Sequence, residues 1–257
     1  KKYPDIKIVG QVENQDKADI AYTQAKDFMT ANPDLAGIYV TAGGPFGAAR
    51  AIEEANKCGA LKIVCFDFVE ETMEYVNKGC ISATLGQNPY AQGHDPAIRL
   101  YNYLVSSIKP AARMLYTRTD VVTKDNIGKF WKPAGLPESF GGVEEEGMVK
   151  PVGEPTKPLR IAVLGLENNP FWIPVKQGAL DAKETLAAHN TTVDWIVPGD
   201  SHLASVFGPA IENALVQKYD AIATVEGDSG LVPYIEKVVK AGIPVATFNV
   251  NVAEDDK

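Results

Sequence analysis

The stretch LRIAVLGLENNPFWIPVKQG, residues 159–178, decides how the whole chain is read. Leu159–Leu164 is a short apolar run of strand length. Glu167-Asn168-Asn169-Pro170 then breaks the run as a turn, and a helix is predicted over 172–188. Strand, loop and helix in this order form the repeating unit of parallel α/β architecture.

The same grammar extends in both directions. Downstream, strands are predicted at 192–197, 221–225 and 245–248, with helices at 205–218 and 231–241. Gly242-Ile243-Pro244 stops the last helix and launches the next strand. Upstream, strands are predicted at 6–10, 37–41, 62–66, 81–85 and 120–123, with helices at 18–31, 46–58, 70–78 and 90–107. Asn32-Pro33-Asp34 ends the first of these helices, because proline and the residue before it resist continued helix.

From Lys132 to Lys157 the character changes. Four prolines, with Pro158 just beyond, Gly141-Gly142 and an acidic run at 144–146 replace the periodicity. This reads equally as a linker over 133–157 between two domains or as an extended tail packed on the first.

A chain of 257 residues suffices for two domains with separate cores. With 45% hydrophobic and 23% charged residues it has a globular profile, and at a net charge of −8 without a basic run it offers no nucleic-acid surface. No apolar stretch approaches the ~20 residues of a membrane-spanning helix. Lys-Lys-Tyr-Pro-Asp at the start is not a signal peptide and looks like the middle of a domain.

The three cysteines, Cys58, Cys65 and Cys80, are too few and scattered for a disulfide framework or a zinc site. Cys65 falls in a predicted buried strand and is expected to act as a small hydrophobe. A Cys58–Cys80 bridge stays open in an oxidising compartment, since spacing does not decide it.

Ligands of open parallel sheets sit outside the carboxyl ends of the strands, so residues just after each strand carry the chemistry. After 159–164 come Asn169, Phe171 and Trp172. Amides can read hydroxyls, and an aromatic plate suits the C–H face of a sugar ring. Equally, both rings could be core residues at a helix start, with Asn169 as its cap. Asn249 and Asn251 follow 245–248 and could share a ligand or form an Asx turn. Asp67 follows 62–66 and could accept two hydroxyl hydrogen bonds or cap the next helix. Gln87 follows 81–85 and can both donate and accept, whereas Asn88 before Pro89 is expected to cap. Gly43, in Thr41-Ala42-Gly43-Gly44-Pro45-Phe46-Gly47, lets backbone N–H groups approach a ligand or simply forms a tight turn. That segment lacks the Gly-Lys-Ser/Thr and the spacing of the nucleotide motifs. His94, His189 and His202 form no triad or metal arrangement and no carboxylate pair stands out, so no catalytic or metal residue and no cofactor is assigned.

Taken together these segments resemble the type I periplasmic binding proteins of sugar ABC importers, the ribose- and galactose-binding group. Residues 158–257 resemble the N-terminal lobe through Asn169-Pro170-Phe171-Trp172, Gly178-Ala179 and Gly242-Ile243-Pro244-Val245 before Asn249. Residues 1–132 resemble the C-terminal lobe through Pro33 to Tyr39, Gly43 to Ala49, Phe66-Asp67, Gly86 to Gly93 and Val121 to Ile127. The resemblance implies an α/β fold of two Rossmann-like doubly wound lobes, each incomplete in this chain, closing on one monosaccharide-like ligand. It implies Asn169, Phe171, Trp172, Asn249, Asp67 and Gln87 as ligand contacts. It further implies an extracytoplasmic receptor, periplasmic or lipid-anchored, with an ABC transporter permease as partner and no enzymatic activity.

Two departures accompany it. The lobes stand in reversed order, and the connecting region, which commonly supplies an arginine to the ligand, is absent. A piece of a tandem receptor, a permuted chain or part of something longer would each fit, and the first is favoured because the proline-rich stretch joins the lobes as it would join modules. A second copy or adjacent module would then complete each lobe. A sensory domain feeding a kinase or regulator is the alternative function; an enzyme would need a catalytic constellation that the sequence lacks.

Overall fold

The computed structural model describes residues 3–131 and 148–250, so most of the 133–157 stretch, and Asn251, lie outside the described residues. The described chain forms two compact units whose boundaries do not follow the order of the sequence. Residues 3–87 and 119–131 make one unit, and 88–118 with 148–250 make the other.

In the first unit, β1 (Gly37–Tyr39), β2 (Lys62–Phe66) and β3 (Ala83–Gly86) are parallel neighbours, and β4 (Asp120–Val122) closes the row antiparallel to β3. Three helices accompany them: α1 (Ala18–Ala31), α2 (Pro45–Glu54) and α3 (Glu70–Lys78). Ile52, Ile63, Cys65, Met73, Val76 and Ile81 are fully or almost fully buried at the centre. Burial pushes the Cys65 thiol up to about 12, so it is an inert core residue, as expected. Cys58, beyond α2, is bridged to Cys80, beyond α3.

The expected strand at 6–10 does not form: Ile8 is 80% exposed and the segment has no strand partner among the described residues. Alternating apolar residues make a strand only when another strand takes up their backbone hydrogen bonds.

The second unit has four parallel strands in the order β6-β5-β7-β8, namely β5 (Leu159–Leu164), β6 (Thr191–Ile196), β7 (Ala221–Thr224) and β8 (Val245–Thr247). Its helices pack in two pairs: α4 (Pro89–Ser106) with α5 (Trp172–Ala187), and α6 (Ala204–Val216) with α7 (Val232–Lys240). The strands β5 and β7 are buried almost throughout, the pattern of central strands covered on both faces.

Helix α4 begins where the chain leaves the first unit. Asn88, at φ 51°, accepts from the Ala91 N–H and caps it, with Pro89 in the first helical position, as expected from sequence. Its buried residues Ala97, Ile98 and Tyr101 join the core of β5 and β7, although sequence order groups α4 with residues 1–132. The helix lies close to α5: a Cβ on Gly93 would stand 1.8 Å from the Val175 carbonyl oxygen, and one on Gly178 would stand 2.1 Å from that of Tyr90. Only hydrogen side chains permit this crossing.

The described end of the proline-rich stretch is strapped along α4. Asn102 donates to the Lys150 carbonyl and accepts from the Val152 N–H, while Tyr101 and Ser106 donate to the carbonyls of Gly153 and Val152. Among the described residues no helix is long and apolar enough to cross a membrane.

Candidate functional site

The carboxyl ends of β1, β2 and β3 are neighbours, and they deliver Gly43, Asp67 and Gln87 to one edge of the first sheet. Asp67 sits at φ 73°, in the left-handed region that few residues other than glycine adopt. It is held there by its own N–H on the Leu85 carbonyl, at 2.9 Å, and by the Thr84 hydroxyl on its carbonyl, at 2.8 Å. Gln87 Nε2 donates to Asp67 Oδ1 at 2.8 Å. The two residues are therefore brought together as one polar pair. Burial, with a smaller contribution from the Asp16 carboxylate, pushes the Asp67 carboxyl up to about 6, while the Gln87 hydrogen bond pulls the other way.

Gly43 is placed on the same edge, but its peptide groups are occupied. Its N–H donates to Asp16 Oδ1 at 2.6 Å and its carbonyl accepts from Asn14 Nδ2 at 2.7 Å. The glycine turn is clamped by a loop 27 to 29 residues earlier in the chain. Asn14 and Asp16 have no sequence signal of their own; they lie in an unpatterned polar run.

In the second unit the rims of β5, β7 and β8 are neighbours. Asn169, after β5, accepts from the Phe171 N–H at 3.0 Å and donates to Asn168 Oδ1, while Asn168 donates to the Asp200 carbonyl. This builds the turn before α5. Trp172 is 2% exposed, a core side chain whose ring lies 5.9 Å from that of His202. Phe171 packs edge-on against it and stays partly exposed. Of the two rings, Phe171 is the one with surface to offer.

Asn249, after β8, has φ 66° and donates to Gln92 Oε1 of α4 at 3.0 Å. Gln92 is itself buried. It lies within the run Gly86 to Gly93, where nothing local marks it as a partner of Asn249. Each sheet thus carries a left-handed Asx residue at a strand's carboxyl end, Asp67 in one and Asn249 in the other.

Among the described residues no group of three His, Cys, Asp or Glu side chains could hold a metal ion. These edges offer amides, carboxylates and partly exposed rings such as Phe171, the chemistry that fits a hydroxyl-rich ligand.

Residues 1–106 and 162–257 match the family model of the periplasmic binding protein domain, and the chain belongs to that family, whose members bind ligands without catalysing a reaction. It is 23% identical over 129 residues to the xylose/arabinose-binding protein XylF of Sulfolobus acidocaldarius, covering 48% of this chain and 31% of that protein. Among solved structures, an ABC transporter solute-binding protein from Agrobacterium vitis with bound D-fucose shares 34% identity over 48% of this chain and 42% of its own, with a TM-score of 0.44. GanP, a glucose-galactose binding protein from Geobacillus stearothermophilus, shares 28% identity over 44% and 40%, with a TM-score of 0.41. The matched stretch spans about a third of the curated relative and less than half of these solved chains.

Proposed function

We propose that each rim is half of a binding site for a monosaccharide-like ligand, and that the protein serves as the extracytoplasmic receptor of an ABC importer, with its permease as partner. Residues 158–257, joined by 88–118, correspond on this reading to an N-terminal lobe and the rest of residues 1–132 to a C-terminal lobe, each half-site completed by a complementary lobe of the same chain, a second copy or an adjacent module.

The observation that carries the reading is the Asp67–Gln87 pair at the edge of the first sheet. A half-buried carboxylate in a left-handed turn, steadied by an amide, costs folding energy that a hydroxyl-bearing ligand would return. Asn169, Asn249 and the ring of Phe171 supply the matching chemistry on the second sheet. Trp172 serves this site as a support and as a fluorescent reporter, and Gly43 shapes the turn.

The test is a tryptophan-fluorescence titration against pentoses, hexoses and their methyl glycosides. Saturable binding of one sugar is expected; no response from any of them overturns the reading. Asp67→Asn should weaken that binding by about 10- to 100-fold, since a hydrogen bond to a charged group contributes about 1.5–3 kcal/mol.

The pH dependence has a definite sign. With the Asp67 carboxyl at about 6, above its ordinary value, the ionised acceptor prevails above pH 6 and is lost below it. Affinity should therefore fall as pH drops from 7 to 5, and the Asp67→Asn variant should show no such fall. For the unliganded protein the linkage runs the other way: a raised carboxyl favours the protonated folded state, so this group adds stability as pH falls from 6 towards 4. Calorimetric titration at several pH values checks the binding limb.

A further inference from the structure

We infer that Glu226 is a specificity-determining residue of the second half-site, accepting hydrogen bonds from hydroxyls of the bound sugar; this rests on the sugar-binding reading above. Glu226 lies just past β7, the strand between β5 and β8, so its position falls between the Asn169 turn and the Asn249 turn. Its N–H donates to the Val250 carbonyl at 3.0 Å, which ties it beside Asn249. Gly227 leaves it little room to move, because a Cβ there would stand 2.8 Å from His202 Cβ and 3.2 Å from Val250 Cγ1.

The side chain is 8% exposed, and among the described residues it makes no hydrogen bond or ion pair. The neighbouring rim carboxylates are all committed. Glu167 meets Lys176 and Trp195, and Asp228 accepts from the N–H groups of Ala204 and Gly230. Glu226 is thus nearly buried as a residue while its carboxylate keeps a narrow opening to solvent and no protein donor among the described residues, which leaves its acceptors available to a ligand. Among the described residues the rims of β5, β7 and β8 carry no arginine, and Lys176, early in α5, is paired with Glu167. The donors that complete Glu226 are therefore the hydroxyls of a neutral sugar.

The test uses the full chain with two variants, Glu226→Gln and Glu226→Leu. In the absence of sugar, Glu226→Leu should melt a few degrees higher than the parent, because it removes the uncompensated carboxylate. Titration with D-xylose, L-arabinose, D-fucose, D-galactose and D-glucose should find the preferred sugar bound at least tenfold more weakly by Glu226→Gln. Deoxy analogues of that sugar should include one whose penalty disappears in Glu226→Gln, identifying the hydroxyl that Glu226 receives. A lower melting point for Glu226→Leu would mark a structural role and overturn the inference. Parent-like affinity in Glu226→Gln overturns it as well, while leaving the receptor reading standing. Failure of the parent chain to bind any sugar overturns the receptor reading and this inference together.

Discussion

Replacing Gly93 or Gly178 by alanine should destabilise the unit built on β5–β8 by about 3 kcal/mol, although alanine is the better helix former by about 1 kcal/mol. The intruding methyl group would meet backbone at both positions, the carbonyl oxygens of Val175 and Tyr90. A side chain can rotate away from such a contact, but a helix backbone has to translate. The pair α4 and α5 would separate, loosening Ile98, Tyr101 and Val175 from the core. Because both glycines serve one crossing, the double variant should cost clearly less than the sum of the two singles. Urea unfolding followed by hydrogen exchange on peptides from α4, α5 and β5 resolves the effect from that of the other unit. A gain of stability of about 1 kcal/mol in either variant would show that the helices do not pack this closely.

Loss of the Cys58–Cys80 bridge should cost the other unit a similar amount. The bridge joins residues 22 apart in sequence, and closing a loop of that length restricts the unfolded chain by about 3 kcal/mol. The segment it encloses contains β2 and α3, including Ile63, Met73 and Val76, so reduction should raise exchange across β2 and β3 while leaving β5–β8 unchanged. Cys58→Ser with Cys80→Ser should reproduce the effect of a reducing agent. The neighbouring Cys65 should take no part in reshuffling: with its thiol at about 12 it carries almost no thiolate at neutral pH. Alkylation of reduced, folded protein should label the partly exposed Cys58 and spare the buried Cys65. The family to which the chain belongs works outside the cytoplasm, where such a bridge persists.

The alternation of strand and helix was legible because each element carries its own period. The predicted spans 62–66, 18–31 and 70–78 coincide with β2, α1 and α3, and 159–164 with β5. Partnership was not legible. The residues at 6–10 have a strand's composition but no adjacent strand, and nothing local to them says so. Helix α4 shows the same limit, since its apolar face announces burial without naming the core that receives it. The open question over Cys58 and Cys80 had the same origin, because the ends of α2 and α3 meet only through the fold.

The candidate site divides along similar lines. Asp67, Gln87, Asn169 and Asn249 were reachable because a strand's carboxyl end is a position that the sequence can mark. What their neighbours do to them was not. Asp16 and Asn14 occupy Gly43 from a distant loop, and Trp172 turns inward although its neighbour Phe171 does not. Glu226 follows β7 as plainly as Asp67 follows β2, yet nothing in its local sequence distinguishes it. Its signal is burial without a partner, which only coordinates reveal.

Helix α4 has one more consequence. Since it belongs by sequence to the first part of the chain and by packing to the second, a nick anywhere in 132–147 would not release two independent bodies. One fragment would carry a helix without its sheet, and the other a sheet with an open groove where that helix belongs. The two pieces would act as a lock and its key, reassembling through α4 when mixed. The same interleaving would let this chain be divided as a complementation pair whose reunion reports that its two carriers have met.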